Sequence, residues 1–84
     1  MKAVVTGGSS GIGYSIAKYL ESQDIDLIII SSDKDKLEKV RPNFKPNTKF
    51  IVADLTDLKK VKDTYVILKQ ENVDILINNA GFGL

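Results

Sequence analysis

The chain has 84 residues, of which 43% are hydrophobic and 27% charged, and its formal net charge is +1. That composition excludes a disordered chain, and the mixed charge offers no surface for nucleic acid or an acidic membrane. Cys and His are both absent, which excludes disulfides, thiolate or imidazole metal sites, and catalysis that depends on either side chain.

A chain this short predicts one domain with a small core, burying roughly 60–65% of its unfolded surface. No uninterrupted run of large apolar residues exceeds four, far too short to span a bilayer. The N-terminus enters a strand at once, without the apolar stretch of a signal peptide, so the cytoplasm is the expected location.

Lys2 to Thr6 reads as a short strand buried on both faces, as in a parallel sheet. A loop of Gly and Ser follows. Ile12 to Gln23 then has a helical pattern, with Ile12, Ile16, Tyr19 and Leu20 on one apolar stripe. Ile25 to Ser31 is a second strand, because Leu27 to Ile30 is too short and too β-branched for a helix. Asp33 to Val40 is a short helix, N-capped by Asp33 and stopped by Pro42. Arg41 to Thr48, with two Pro and two Asn, is a loop. Lys49 to Ala53 is a third strand. Thr56 or Asp57 caps a third helix from Leu58 to Glu71, whose stripe is Leu58, Val61, Tyr65 and Leu68. Val73 to Asn78 is a fourth strand, and Gly81 to Leu84 a loop.

Strands alternating with helices imply a parallel sheet with right-handed crossovers. The expected fold is an α/β, doubly wound three-layer unit, with strand order 3-2-1-4 and three helices. No linker, repeat or low-complexity tract divides residues 1–84.

The stretch Val4-Val5-Thr6-Gly7-Gly8-Ser9-Ser10-Gly11-Ile12-Gly13 is strand, glycine loop and helix start. A helix N-terminus offers unpaired N–H groups and a partial positive charge, and glycines let the backbone come close to an anion. The spacing is not the G-x-G-x-x-G fingerprint. Gly8 and Gly13 have the spacing of a P-loop, but Tyr14 stands where its Lys must be.

Thr6-Gly7-Gly8-Ser9-Ser10-Gly11-Ile12-Gly13 resembles T-G-x-x-x-G-[IL]-G, the first motif of the short-chain dehydrogenase/reductase family. Asp54-Leu55 after the third strand, and Asn78-Asn79-Ala80-Gly81 at the end of the fourth, resemble two further motifs of that family in the right order. The resemblance covers the whole chain but only the first part of the family's fold, a dinucleotide-binding half-domain.

The resemblance implies that the backbone around Ser9, Ser10, Gly11 and Ile12 holds a pyrophosphate. It implies that Asp54 accepts a hydrogen bond from the adenine amino group, with Leu55 against the ring. Asn79, Ala80 and Gly81 then approach the nicotinamide ribose, while Asn78 ties strands together. The position that often carries an acid for the ribose of NAD is Ser31, followed by Ser32. With no carboxylate there, two hydroxyls plus Lys34 could receive a 2′-phosphate, so the resemblance favours NADP over NAD.

The family's hydride transfer uses a Ser and a Y-x-x-x-K segment that follow the N-N-A-G strand, so no catalytic residue is assigned here. Tyr14 to Lys18 and Tyr65 to Lys69 have that spacing, but both read as ordinary helix-surface pairs. The fourth strand would expose an apolar edge, which predicts a homo-oligomer or a complementary chain pairing there. Two other readings stay open: a stand-alone nucleotide-binding or regulatory module, and a self-associating protein with a vestigial site.

Overall fold

The structure, a computed structural model, describes residues 1–9 and 11–79. Its elements are β1 (Lys2–Thr6), α1 (Gly11–Ser22), β2 (Asp26–Ser31), α2 (Lys34–Val40), a 3₁₀ turn (Arg41–Asn43), β3 (Lys49–Val52), α3 (Leu58–Lys69) and β4 (Ile75–Asn78). The four strands pair in parallel in the order β3-β2-β1-β4. The α/β doubly wound unit expected from the sequence is therefore the fold observed. Among the described residues no helix is long and apolar enough to cross a membrane.

The sheet has two apolar faces because neighbouring side chains alternate across the pleat. Ala3, Val5, Leu27 and Ile29 face Ala17, Leu37 and Phe44. Val4, Ile28 and Ile30 face the other way, with Leu68 of α3 packed against them. The central strands β1 and β2 are thus buried on both sides, as their unbroken β-branched runs require.

The buried faces of two helices differ from the expected stripes. On α1 the buried residues are Gly13 and Ala17, whereas Ile12 is 72% and Tyr19 65% exposed. Small residues one turn apart let the helix lie close to the sheet, and Ile12 and Tyr19 turn outward, while Tyr14 and Leu20 pack against the core. On α3 the buried residue is Thr64, while Leu58 and Tyr65 are exposed. Val61, Tyr65 and Leu76 instead border a cavity of about 210 Å³ that opens beside β4.

The helix ends follow local chemistry. Asp33 caps α2 by accepting from Lys36 N–H, and Asp57, not Thr56, caps α3 by accepting from Lys59 N–H. Pro42 does not end the helical path. It sits in the 3₁₀ turn that directly follows α2, where a first-turn proline needs no N–H partner. Helix α3 stops at Lys69, and Asn72 then turns the chain with φ +55°.

Three rings close the α2 side of the core. Phe44 meets Tyr14 and Phe50 edge-on, at 5.7 and 5.9 Å between centroids. Lys18 lies over the Phe44 ring and Arg41 over the Phe50 ring. Tyr14 and Phe50 are packing residues, whereas Tyr19 is exposed. At the opposite end of the strands, Glu71 bridges Lys2 at 2.8 Å and Lys49 at 2.6 Å. These bonds from Lys2 and then Lys49 pull the Glu71 carboxyl down to about 2, against the smaller opposing effect of its burial.

Candidate functional site

The strand order reverses between β1 and β4, and in doubly wound sheets ligands lie at the C-terminal edge of that reversal. The chain leaves β1 there through Gly7, with φ +70°, and enters α1 at Gly11, with φ +58°. Both are left-handed conformations that cost a side chain strain. At Gly11 nothing lies within 4 Å of a built Cβ, so this glycine is required by conformation rather than by space.

Gly13 is the reverse case. A Cβ there would meet the Gly7 carbonyl oxygen at 2.2 Å and Asn79 Nδ2 at 2.5 Å. The first turn of α1 is therefore pressed against both the loop it follows and the end of β4. Thr6 fastens the same corner. Its hydroxyl accepts from Asn79 N–H at 2.9 Å and donates to Asn78 Oδ1 at 3.1 Å. Asn78 thus ties β4 to β1, the role the sequence suggested for it. Gly7 N–H donates to Ile30 O at 2.7 Å and extends the ladder between β1 and β2.

Ser9 and Ser31 are both buried, and their hydroxyl oxygens are 3.0 Å apart. Ser31 Oγ also accepts from Asp33 N–H at 3.1 Å. Ser32, the next residue, is exposed. At the tip of β3, Asp54 Oδ1 accepts from Thr56 O–H at 2.6 Å and from Thr56 N–H at 2.9 Å. Those two bonds hold the exposed Asp54 carboxyl below the usual carboxylate range, against a smaller opposing effect of burial. Leu55 is half-buried against the β2 side of the sheet.

The fold thus brings Thr6, Gly7, Gly13 and Asn79 to one corner and joins Ser9 to Ser31. Asp54 and Leu55 stand two strands away, on the same edge. Ile12 points away from the packed side of α1. Ser10, Ala80 and Gly81 lie outside the described residues. The internal use of the Ser31 hydroxyl, and the grip of Thr56 on Asp54, were not read from the sequence. An Asp followed two residues later by Thr is the one local signal for the second, since Asp side chains commonly bond backbone two residues on.

The arrangement suits an anion held by backbone. No acidic residue lies in the first turn of α1, so the helix N-terminus keeps its positive end undiminished. Neither Tyr–Lys string belongs to this corner. Tyr14 packs on Phe44, and Lys18 is held by Glu21 and by the Asn43 carbonyl. Tyr65 is exposed on α3, beside the cavity at β4.

Comparison with known proteins gives this geometry a family. The model for "short chain dehydrogenase" matches residues 1–84. The chain is 38% identical over 87 residues to hydroxysteroid dehydrogenase-like protein 1 of Gallus gallus, covering 94% of this chain and 25% of that protein. Among solved structures it is similar to the bulky-bulky ketone specific alcohol dehydrogenase from Comamonas testosteroni, with a TM-score of 0.85 and 33% identity over 99% of this chain and 35% of that one. It is also similar to YwfH, an NADPH dependent reductase involved in bacilysin biosynthesis, with a TM-score of 0.83 and 31% identity over 99% of this chain and 38% of that one. The chain thus spans well under half the length of these relatives. With Thr6, Gly7, Gly13 and Asn79 brought together at the reversal of a β3-β2-β1-β4 sheet, this chain belongs to the short-chain dehydrogenase family.

Proposed function

We propose that this chain is the dinucleotide-binding part of a short-chain oxidoreductase, holding the ADP and pyrophosphate portion of NADP or NAD. The observation that carries the reading is Gly13. Its Cα lies so close to the Gly7 carbonyl and Asn79 that no side chain fits, which presses a glycine-rich backbone and a helix N-terminus into one cradle. The backbone from Ser9 to Ile12, including Ser10, holds the pyrophosphate. Asp54 receives the adenine amino group, with Leu55 beneath the ring, while Asn79, Ala80 and Gly81 meet the nicotinamide ribose.

NADP is the preferred cofactor in this reading. Neither Ser31 nor Ser32 carries a charge that would repel a 2′-phosphate, and Lys34 follows on the exposed start of α2. The NADPH dependence stated for YwfH supports the same choice. When bound, the nicotinamide supplies hydride chemistry. This chain's own residues bind and orient, and the Ser, Tyr and Lys of the family's proton transfer are not among them.

We further infer that β4 is an interface. Among the described residues it pairs with β1 on one side only, and Leu76 is 63% exposed. Its free N–H and C=O groups are a template for another strand, from a second copy or from a complementary chain.

Calorimetric titration with NADP and with NAD tests the cofactor reading. Heat and thermal stabilisation with both, stronger with NADP, are expected. No heat and no stabilisation with either overturns it.

A further inference from the structure

Ser31 occupies the place where the family resemblance calls for a ribose-binding acid, yet its hydroxyl is turned inward. Ser31 is 8% exposed and Ser9 7%. Their oxygens are 3.0 Å apart across 22 residues of sequence. Ser31 Oγ accepts from Asp33 N–H as well, and Asp33 in turn caps α2 through Lys36 N–H. A hydroxyl has one proton and two acceptor sites, so these two partners take up most of what Ser31 can offer. The result is one continuous link from the glycine loop through β2 into the start of α2.

The loop needs such a link. Gly7 and Gly11 both sit at positive φ, and glycine backbone is the least self-restrained in a chain. Beyond Gly7, whose N–H bonds Ile30, the Ser9 hydroxyl is the side-chain tether of the loop to the sheet among the described residues. Its partner sits on the neighbouring strand, not on the loop itself, so it sets the loop's height above the sheet edge.

We propose that Ser31 is a positioning residue, whose hydroxyl locks the glycine loop to the β2–α2 turn rather than meeting the cofactor's ribose. The proposal rests on the dinucleotide reading above for its functional meaning, but the lock itself is a property of the chain alone. Losing it loosens the phosphate loop and weakens both cofactors by one factor, because the pyrophosphate is common to them. A residue that met the 2′ position would instead change their ratio.

Two measurements on the chain and on S31A, S9A and S9A/S31A decide this: amide hydrogen exchange, and calorimetry with NADP and with NAD. In S31A, exchange at Gly8, Ser9 and Asp33 is expected to quicken while the amides of β1 and β3 keep their protection. Both cofactors are expected to weaken by about five-fold, the worth of one net hydrogen bond, with their ratio unchanged. The double variant is expected to lose no more than either single one, since the two hydroxyls act through each other. Unchanged exchange in S31A overturns the proposal, and so does a five-fold or larger change in the NADP to NAD ratio. If the chain binds neither cofactor, the dinucleotide reading falls. The exchange data then decide the lock by themselves, with faster loop exchange supporting it and unchanged exchange ending it.

Discussion

The Gly7 carbonyl oxygen stands 2.2 Å from where a side chain on Gly13 would begin. Gly13 lies inside α1, where alanine is intrinsically better than glycine by about 1 kcal/mol. Overpacking a close contact costs about 1–3 kcal/mol, and here the obstacle is backbone that cannot rotate away. The clash therefore wins. Gly13→Ala is expected to lower stability by about 1–2 kcal/mol, or roughly 10 °C in Tm for a chain of this size. A melt that rises would show that propensity decides instead.

Thr6 joins β1 to β4 through a hydroxyl that serves both Asn78 and the Asn79 N–H. Thr6→Val keeps the shape and removes the hydroxyl, leaving the partly buried Asn79 N–H without that acceptor. A loss of about 1–2 kcal/mol is expected by urea unfolding, with Thr6→Ser losing less. A loss in Thr6→Ser with none in Thr6→Val would assign the effect to packing of the methyl group.

Glu71 is a strap between β1, β3 and the end of α3. Its carboxyl falls from 4.5 to about 2 on folding. A depressed acid stabilises the fold fully above its unfolded value and loses that contribution as pH falls through its folded value. Stability is therefore expected to decline between pH 4.5 and about 2. Glu71→Gln is expected to be less stable at neutral pH and to show a shallower acid decline over that window. Parallel acid profiles for the two proteins would remove Glu71 from the pH dependence.

Phe44 is 7% exposed and touches rings from α1 and β3. Phe-to-Ala changes in cores cost about 3–5 kcal/mol, whereas total stability runs at about 0.05–0.15 kcal/mol per residue. Phe44→Ala is expected to remove cooperative unfolding or bring the midpoint below body temperature. Phe44→Leu is expected to stay folded. Circular dichroism melts separate the two.

Leu76 marks the open side of the sheet. It is 63% exposed, so Leu76→Lys is expected to cost the single chain little. If β4 pairs with a second copy, sedimentation at micromolar concentration shows a dimer for the chain and a monomer for the variant. A monomer in both would end the reading that a second copy pairs with this edge.

Local chemistry alone determined much of this molecule. The alternation of strands and helices, the bounds of β1, the end of α2 at Val40 and the Asp33 cap all depend on patterns within a few residues. The strand order came from the doubly wound rule, which is a property of the fold and not of any local pattern. The glycine loop was legible from the turn chemistry of its own residues, while the motif residues after the third and fourth strands were legible through their resemblance to the family's motifs. Tertiary structure decided which faces those elements bury. The α1 stripe of Ile12, Ile16 and Tyr19 has the right period, but Gly13 and Ala17 win the sheet because they allow the closest approach. Ser31 faces inward because Ser9 and Asp33 meet its hydroxyl there. Glu71 leaves the helix and joins Lys2, 69 residues away. A contact at that separation has no periodic signature in sequence, because it exists only when the parallel sheet has brought the two ends of the chain side by side.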